Sequence, residues 1–268
     1  MAQRLSYILA LMLLVVCCKK TEKPVLASVE TFELSPPRMV VDSLLFHTSA
    51  QITADFGLAD AEIRYTTDGG EVTKASLVYT NPLQIDRSAE YSFRVFHPQH
   101  KASTQVLTKL VQVKNTIADI DMAITPQAHP NYRGNGSRTL VDLQKGTTQF
   151  RSGKQWLGFQ SEKIAIDLDF KKQQSLSKVI LSTLRDHNAW IFSPVSISVI
   201  ADTKEIGSVY FDTPKEAQPT QMQFLDIPVT VGNYSAITIE INVMEAIPEW
   251  HQGKGTLPFF FIDEILVE

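Results

Sequence analysis

Alternation with a period of two dominates this chain. Ala61, Ile63 and Tyr65 alternate with Glu62, Arg64 and Thr66, and Tyr91, Phe93 and Val95 alternate with Ser92 and Arg94. This pattern predicts strands with one face packed and the other solvated. Asp68-Gly69-Gly70 follows the first of these runs and supplies residues that tolerate positive φ, so it predicts a tight hairpin turn. Val106, Leu110, Val111 and Val113 mark a last strand. About seven short strands between residues 29 and 114 predict an immunoglobulin-like sandwich.

Residues 115–130 lack strict alternation and contain Pro126, Pro130 and the charged stretch Asp119 to Asp121. They predict an exposed linker. From residue 131 to 268 strands return: Ile164, Ile166 and Leu168; Val179 and Leu181; Val195, Ile197 and Val199. Ile237, Ile239, Ile241 and Val243 alternate with Thr238, Glu240 and Asn242, one face for a core and one for water. No stretch shows the 3.6-residue period of a long amphipathic helix. The expected fold class is all-β, an immunoglobulin-like β-sandwich followed by a jelly-roll β-sandwich.

The amino terminus has a different character. Arg4 precedes the apolar run Tyr7 to Val16, which ends at Cys17-Cys18-Lys19-Lys20. The run is too short to span a bilayer comfortably and has the make-up of a signal-peptide core. The chain has 2 cysteines, both here, so the folded domains have no internal disulfide. The arrangement resembles a bacterial lipoprotein signal, which implies a leader over residues 1–17, acylation of Cys18 (or Cys17), and a membrane partner reached through the lipid. Residues 18–28, with Lys, Glu and Pro24, read as a flexible tether.

Composition narrows the function classes. At 268 residues, with 44% hydrophobic and 20% charged positions, the chain can bury sizeable cores. The 25 Lys and Arg against 29 Asp and Glu leave a net charge of -4, which argues against wrapping a nucleic acid backbone. A mean hydropathy of -0.05 excludes a polytopic membrane protein.

Two family resemblances emerge from ordered motifs. Phe32-Glu33-Leu34-Ser35-Pro36, Ile63-Arg64-Tyr65-Thr66-Thr67-Asp68-Gly69 and Leu77-Val78-Tyr79-Thr80-Asn81-Pro82-Leu83 resemble the small sandwich appended to chitobiases and β-hexosaminidases. That resemblance implies a spacer without catalytic residues. Tyr132-Arg133-Gly134-Asn135-Gly136, Thr139-Leu140-Val141-Asp142, Trp156-Leu157-Gly158-Phe159-Gln160, Trp190-Ile191-Phe192-Ser193-Pro194 and Phe261-Ile262-Asp263-Glu264-Ile265 resemble the factor 5/8 type C, discoidin-like domain. This family is a relative of galactose-binding carbohydrate modules. Leu143 departs from it, standing where many relatives have Gly after the Asp.

A sugar is held by an aromatic ring against its C–H face and by polar groups that read its hydroxyls. Trp190, Trp250 and His251, with Asp186 and His187, are the candidate carbohydrate-binding residues; Trp190 and Trp250 either project from loops or cap the core. The resemblance further implies a structural calcium held by Asp142 and Glu264, with carbonyls of Leu140 and Thr147. Asp263-Glu264 mimics the adjacent acid pair of retaining β-hexosaminidases, but successive residues of a strand point to opposite faces. The chain also lacks the roughly 250 residues of alternating strands and helices that a catalytic barrel needs. The expectation is a non-catalytic glycan binder of the bacterial cell envelope, with a galactose or N-acetylhexosamine type of ligand. It would act beside glycoside hydrolases or uptake proteins. The alternative is a scaffold or adhesin whose discoidin-like loops recognise another protein.

Overall fold

The computed structural model describes residues 32–115, 117, 120–151 and 154–268. The expected leader and tether, with Cys17 and Cys18, lie outside the described residues. Every regular element described is a strand or a short 3-10 turn, so the fold is all-β.

In the proximal domain, alternation produces β1 (Arg38–Val41), β2 (Leu45–Phe46), β3 (Ala50–Asp55), β4 (Glu62–Thr66), β5 (Leu77–Val78), β6 (Leu83–Ile85), β7 (Ala89–Phe96) and β8 (Val106–Gln112). They form sheets ordered β1-β3-β6 and β2-β8-β7-β4-β5. The inward residues Phe46, Ile52, Ile63, Ile85, Phe93, Val95 and Leu110 meet between the sheets as one core. The Asp68-Gly69-Gly70 turn forms, with Gly69 at φ 74° and Gly70 N–H donating to Asp68 Oδ1 at 3.0 Å. It does not close a tight hairpin. The strand antiparallel to β4 starts only at Leu77, because buried Val72 ties the intervening segment back to Gln105 Oε1 through its N–H at 2.9 Å.

The distal domain is built on two long strands. β9 (Ile120–Thr125), β10 (Gly134–Ser137) and β11 (Leu157–Phe159) lead to β12 (Lys163–Arg185), followed by β13 (Ser196–Ala201), β14 (Lys204–Tyr210), β15 (Gln221–Asn242) and β16 (Phe260–Val267). β12 and β15 run antiparallel, with register shifts between Asp169 and Gln174 and between Leu176 and Lys178. Bulges of this kind bend a strand. The first half of β12 accordingly pairs with β9 and the second with β16, so one folded hairpin serves both layers of the sandwich. Ile164, Ile166, Leu168, Val179, Leu181, Ile239 and Ile265 lie in the core between them.

The linker expected over residues 115–130 needs correction. Ile120–Thr125 pairs residue for residue with Ala165 to Phe170, and Ile120, Met122 and Ile124 pack on the distal core while Asp121, Ala123 and Thr125 face water. Asp121, one of the charges that suggested exposure, stands on the solvated face of a half-buried strand and not in a loop. The connector is thereby shortened, and the domains touch: Leu45, Val111 and Val113 pack against Ile180, Phe224 and Leu266. Lys109 Nζ bridges the seam to Asp226 at 2.8 Å.

Candidate functional site

β12 ends at Arg185, and the chain turns sharply through a 3-10 turn at His187–Ala189. Asp186 and Ile191 exchange backbone hydrogen bonds at 3.0 Å, which closes the turn. Trp190 sits at its end with φ 63°. A bulky residue in the left-handed region is rare and is held there only when its surroundings determine it. The surroundings here are explicit: Trp190 N–H donates to His187 O at 3.0 Å, Phe259 N–H donates to Trp190 O at 2.8 Å, and Gly253 lies on the indole. A Cβ at residue 253 would stand 2.9 Å from Trp190 Cε2, so only glycine allows this approach.

The turn and the loop after β15 bring four of the five sequence-predicted sugar residues into one aromatic group. Trp190 and Trp250, both half-buried, pack against Phe192, Met244 and Ile247. The His187 ring stacks on Phe192 at 4.4 Å and lies 5.3 Å from Trp250. His251 packs edge-on against both indoles. Asp186, the fifth, opens the turn beside His187.

The two histidines are not rim residues. His251 is 8% exposed and both its nitrogens are engaged: Nδ1 accepts from Gly253 N–H at 2.9 Å, so Nε2 carries the proton and donates to His187 O at 2.8 Å. It fastens one loop to the other. His187 is 3% exposed and its Nδ1 accepts from Gln218 N–H at 3.1 Å. Burial, together with nearby Arg185 and His251, pulls its pKa down to about 4. The ring is therefore neutral with its proton on Nε2, and that atom is buried with no partner among the described residues, as is Asp186 Oδ1.

Sequence reading missed what covers this end. Residues 211–220 cross it as a polar strap, with Pro214 O accepting from Trp250 Nε1–H at 2.8 Å and Pro219 O from Arg185 at 3.2 Å. Pro214 and Pro219, bracketing a stretch without alternation, were the available signal. Trp156 lies elsewhere, 2% exposed, its Nε1–H donating to Thr147 O at 2.9 Å.

The candidate calcium residues also converge. A bulge in β16 opposite Ser182 and Thr183 makes Asp263 the extra residue, so Asp263 and Glu264 both meet the loop 142–147. This corrects the expectation that they face apart, since a bulge re-aims a side chain. Asp263 Oδ2 accepts from Lys145 Nζ at 2.8 Å and from Gly146 N–H at 2.6 Å. Glu264 lies close enough to the Asp142 carboxylate and the Gln144 amide for both to act on it, yet neither of its buried oxygens has a well-formed hydrogen bond. Burial first, then the Asp263 charge and Asp142, push its pKa up to about 9. Leu140 is buried beside them and Thr147 borders the loop.

Among the described residues no group of three or more His, Cys, Asp or Glu side chains is gathered as for a metal. The carboxyl oxygens of Asp142 and Glu264 are hard donors of the kind that calcium takes. Buried, uncompensated Glu264 oxygens beside a second carboxylate fit a hard cation.

Open grooves away from these clusters include two that border the long strands of the distal domain. One, of about 380 Å³, runs over the outer face of β9, β12 and β15 past Asp121, Asp167, Asp169 and Asp202, with no aromatic ring in its lining. The other, of about 390 Å³, lies at the domain seam.

The family described as chitobiase/beta-hexosaminidase C-terminal domain matches residues 45–108, which run from β2 into β8 of the proximal sandwich. No curated protein matches the chain. Among solved structures, the lectin domain of lectinolysin in complex with Lewis B antigen is similar at 12% identity, over 58% of this chain and 97% of that one, with a TM-score of 0.40. The C-terminal domain of a chitobiase from Bacteroides fragilis is similar at 16% identity, over 57% of this chain and 95% of its own, with a TM-score of 0.37. A SusE-like protein is similar at 11% identity, over 86% of this chain and 95% of its own, with a TM-score of 0.37.

Proposed function

We propose that this chain is a non-catalytic carbohydrate-binding protein, lipid-anchored in the bacterial cell envelope through Cys18 or Cys17. The proximal sandwich holds the distal one away from the membrane, and the distal one captures glycan for hydrolases or uptake proteins. The observation that carries this reading is the cluster at the end of the distal sandwich. Half-buried Trp190 and Trp250 supply ring surface, and unpartnered polar atoms of Asp186 and His187 stand beside them. Rings that stack on sugar C–H bonds, next to polar groups seeking partners, are what a saccharide needs. Calcium, held by Asp142 and Glu264 with Leu140 and Thr147 carbonyls, would neutralise the buried acids and fix the 142–147 loop. One or two stacked rings leave little free energy after ordering costs, so a single site binds at roughly 10⁻³ to 10⁻⁴ M and display on a surface adds avidity.

A glycan-array screen of the mature protein, with and without calcium, tests the reading. Retention of galactose- or N-acetylhexosamine-type glycans, lost in Trp190→Ala and Trp250→Ala variants that still fold, is the expected result. An array on which the wild-type protein retains no glycan would overturn it.

A further inference from the structure

We propose that His187 Nε2–H and Asp186 Oδ1 form a paired donor and acceptor for a hydroxyl of a neutral saccharide, reached beneath the strap 211–220. The inference rests on the glycan-binding reading and narrows it to a ligand class and two atoms.

The tautomer follows from hydrogen bonding. Gln218 N–H points at His187 Nδ1, so Nδ1 bears a lone pair and the ring proton is on Nε2. Nε2 is buried with the ring stacked on Phe192, and no oxygen or nitrogen of the described residues accepts from it. Buried donors are almost always partnered, because leaving one bare forfeits the hydrogen bond it had in water. One residue earlier, Asp186 Oδ1 is a buried acceptor with the complementary lack. A hydroxyl both accepts and donates, and so suits either atom. A carboxylate offers no proton to Asp186 and meets its negative charge, so the group that enters here is a hydroxyl. Because Pro214 and Gln218 of the strap hold Trp250 and His187, a ligand that reaches Nε2 also disturbs the Trp250 indole.

The test is titration of the intact mature protein with galactose and N-acetylglucosamine, followed by tryptophan fluorescence and calorimetry. Asn at residue 187 keeps an acceptor where Nδ1 stood and offers nothing at Nε2, whereas Gln places an amide N–H near Nε2. His187→Asn and Asp186→Ala are expected to weaken the neutral sugar at least about tenfold, and His187→Gln to restore much of the affinity. Neutral-sugar binding that is lost in Trp190→Ala and Trp250→Ala but unchanged in His187→Asn and Asp186→Ala overturns this inference and leaves the glycan-binding reading standing. Absence of any sugar binding by the wild-type protein overturns both.

Discussion

Trp250 Nε1–H donates to Pro214 O at 2.8 Å, fastening the strap 211–220 to the aromatic end of the distal sandwich. Phenylalanine at residue 250 keeps most of the ring contact with Phe192 and His251 but has no N–H. Trp250→Phe should lower stability by about 1 kcal/mol, the net worth of one such hydrogen bond, and leave the rest of the domain intact. Urea denaturation reads the loss. Hydrogen exchange should show faster exchange at Gln218 N–H, and unaltered exchange there would mean that the strap is held by its other contacts alone.

His187 gives the domain a defined acid sensitivity. Its folded pKa is lowered from about 6.5 to about 4 by burial and by Arg185 and His251, with Asp186 opposing. Between those values the unfolded chain takes up a proton that the folded one refuses, so stability is full above pH 6.5 and falls as pH drops toward 4. The loss is on the order of 3 kcal/mol from this residue. His187→Asn, which cannot titrate, should flatten that part of the pH–stability curve. A slope between pH 6.5 and 4 that survives in this variant would have to come from other groups.

Much of the fold was legible because alternation reports on faces directly. Ile63, Phe93, Ile166 and Ile239 face cores where the period of two put them. What escaped was the behaviour of strands at corners. Ile164 to Leu168 and Val179 to Leu181 read as separate strand candidates, yet they are the two halves of the single strand β12, which bends between them. Ile120–Thr125 looked like a linker because its charges and nearby prolines masked three inward residues. The site was legible in its residues but not in their roles: sequence brings out the polar and aromatic types, whereas burial of His187 and His251 depends on the strap and on loops far apart in the chain. Leu143 is a case between the two. The discoidin-like resemblance leads one to expect Gly there, and the structure holds Leu143 at φ 59°, the left-handed conformation that favours Gly, while its side chain packs on the domain seam.

The loop 142–147 and the end of β16 make a calcium test straightforward. If a cation binds Asp142 and Glu264, it binds the folded chain alone and raises the melting temperature with concentration, by about 2.7 kcal/mol of stability at a hundredfold excess over Kd. Glu264→Gln replaces a buried carboxyl, held neutral without a cation, by a neutral amide of the same shape, so it should cost little without calcium and abolish the calcium response. Differential scanning calorimetry with calcium and with chelator decides the matter. An identical calcium response in Glu264→Gln would remove this residue from the ligand set.

The seam between the sandwiches makes a separate prediction. Phe224 packs with Leu45, Val111, Val113, Ile180 and Leu266, and Lys145 Nζ lies 5.6 Å from its ring centre while bound to Asp263. An apolar seam of this kind couples the unfolding of two domains that each have a core of their own. Phe224→Ala should cost about 3 kcal/mol by emptying a buried position. Because the lost contacts are those across the seam, the single transition expected of the wild-type protein should split, the distal domain melting first. The proximal domain, whose core between β3 and β7 does not involve Phe224, should keep its own midpoint. If the wild-type protein already melts in two separate steps, the seam does not couple the domains, and the proximal sandwich is a spacer that the distal one moves against.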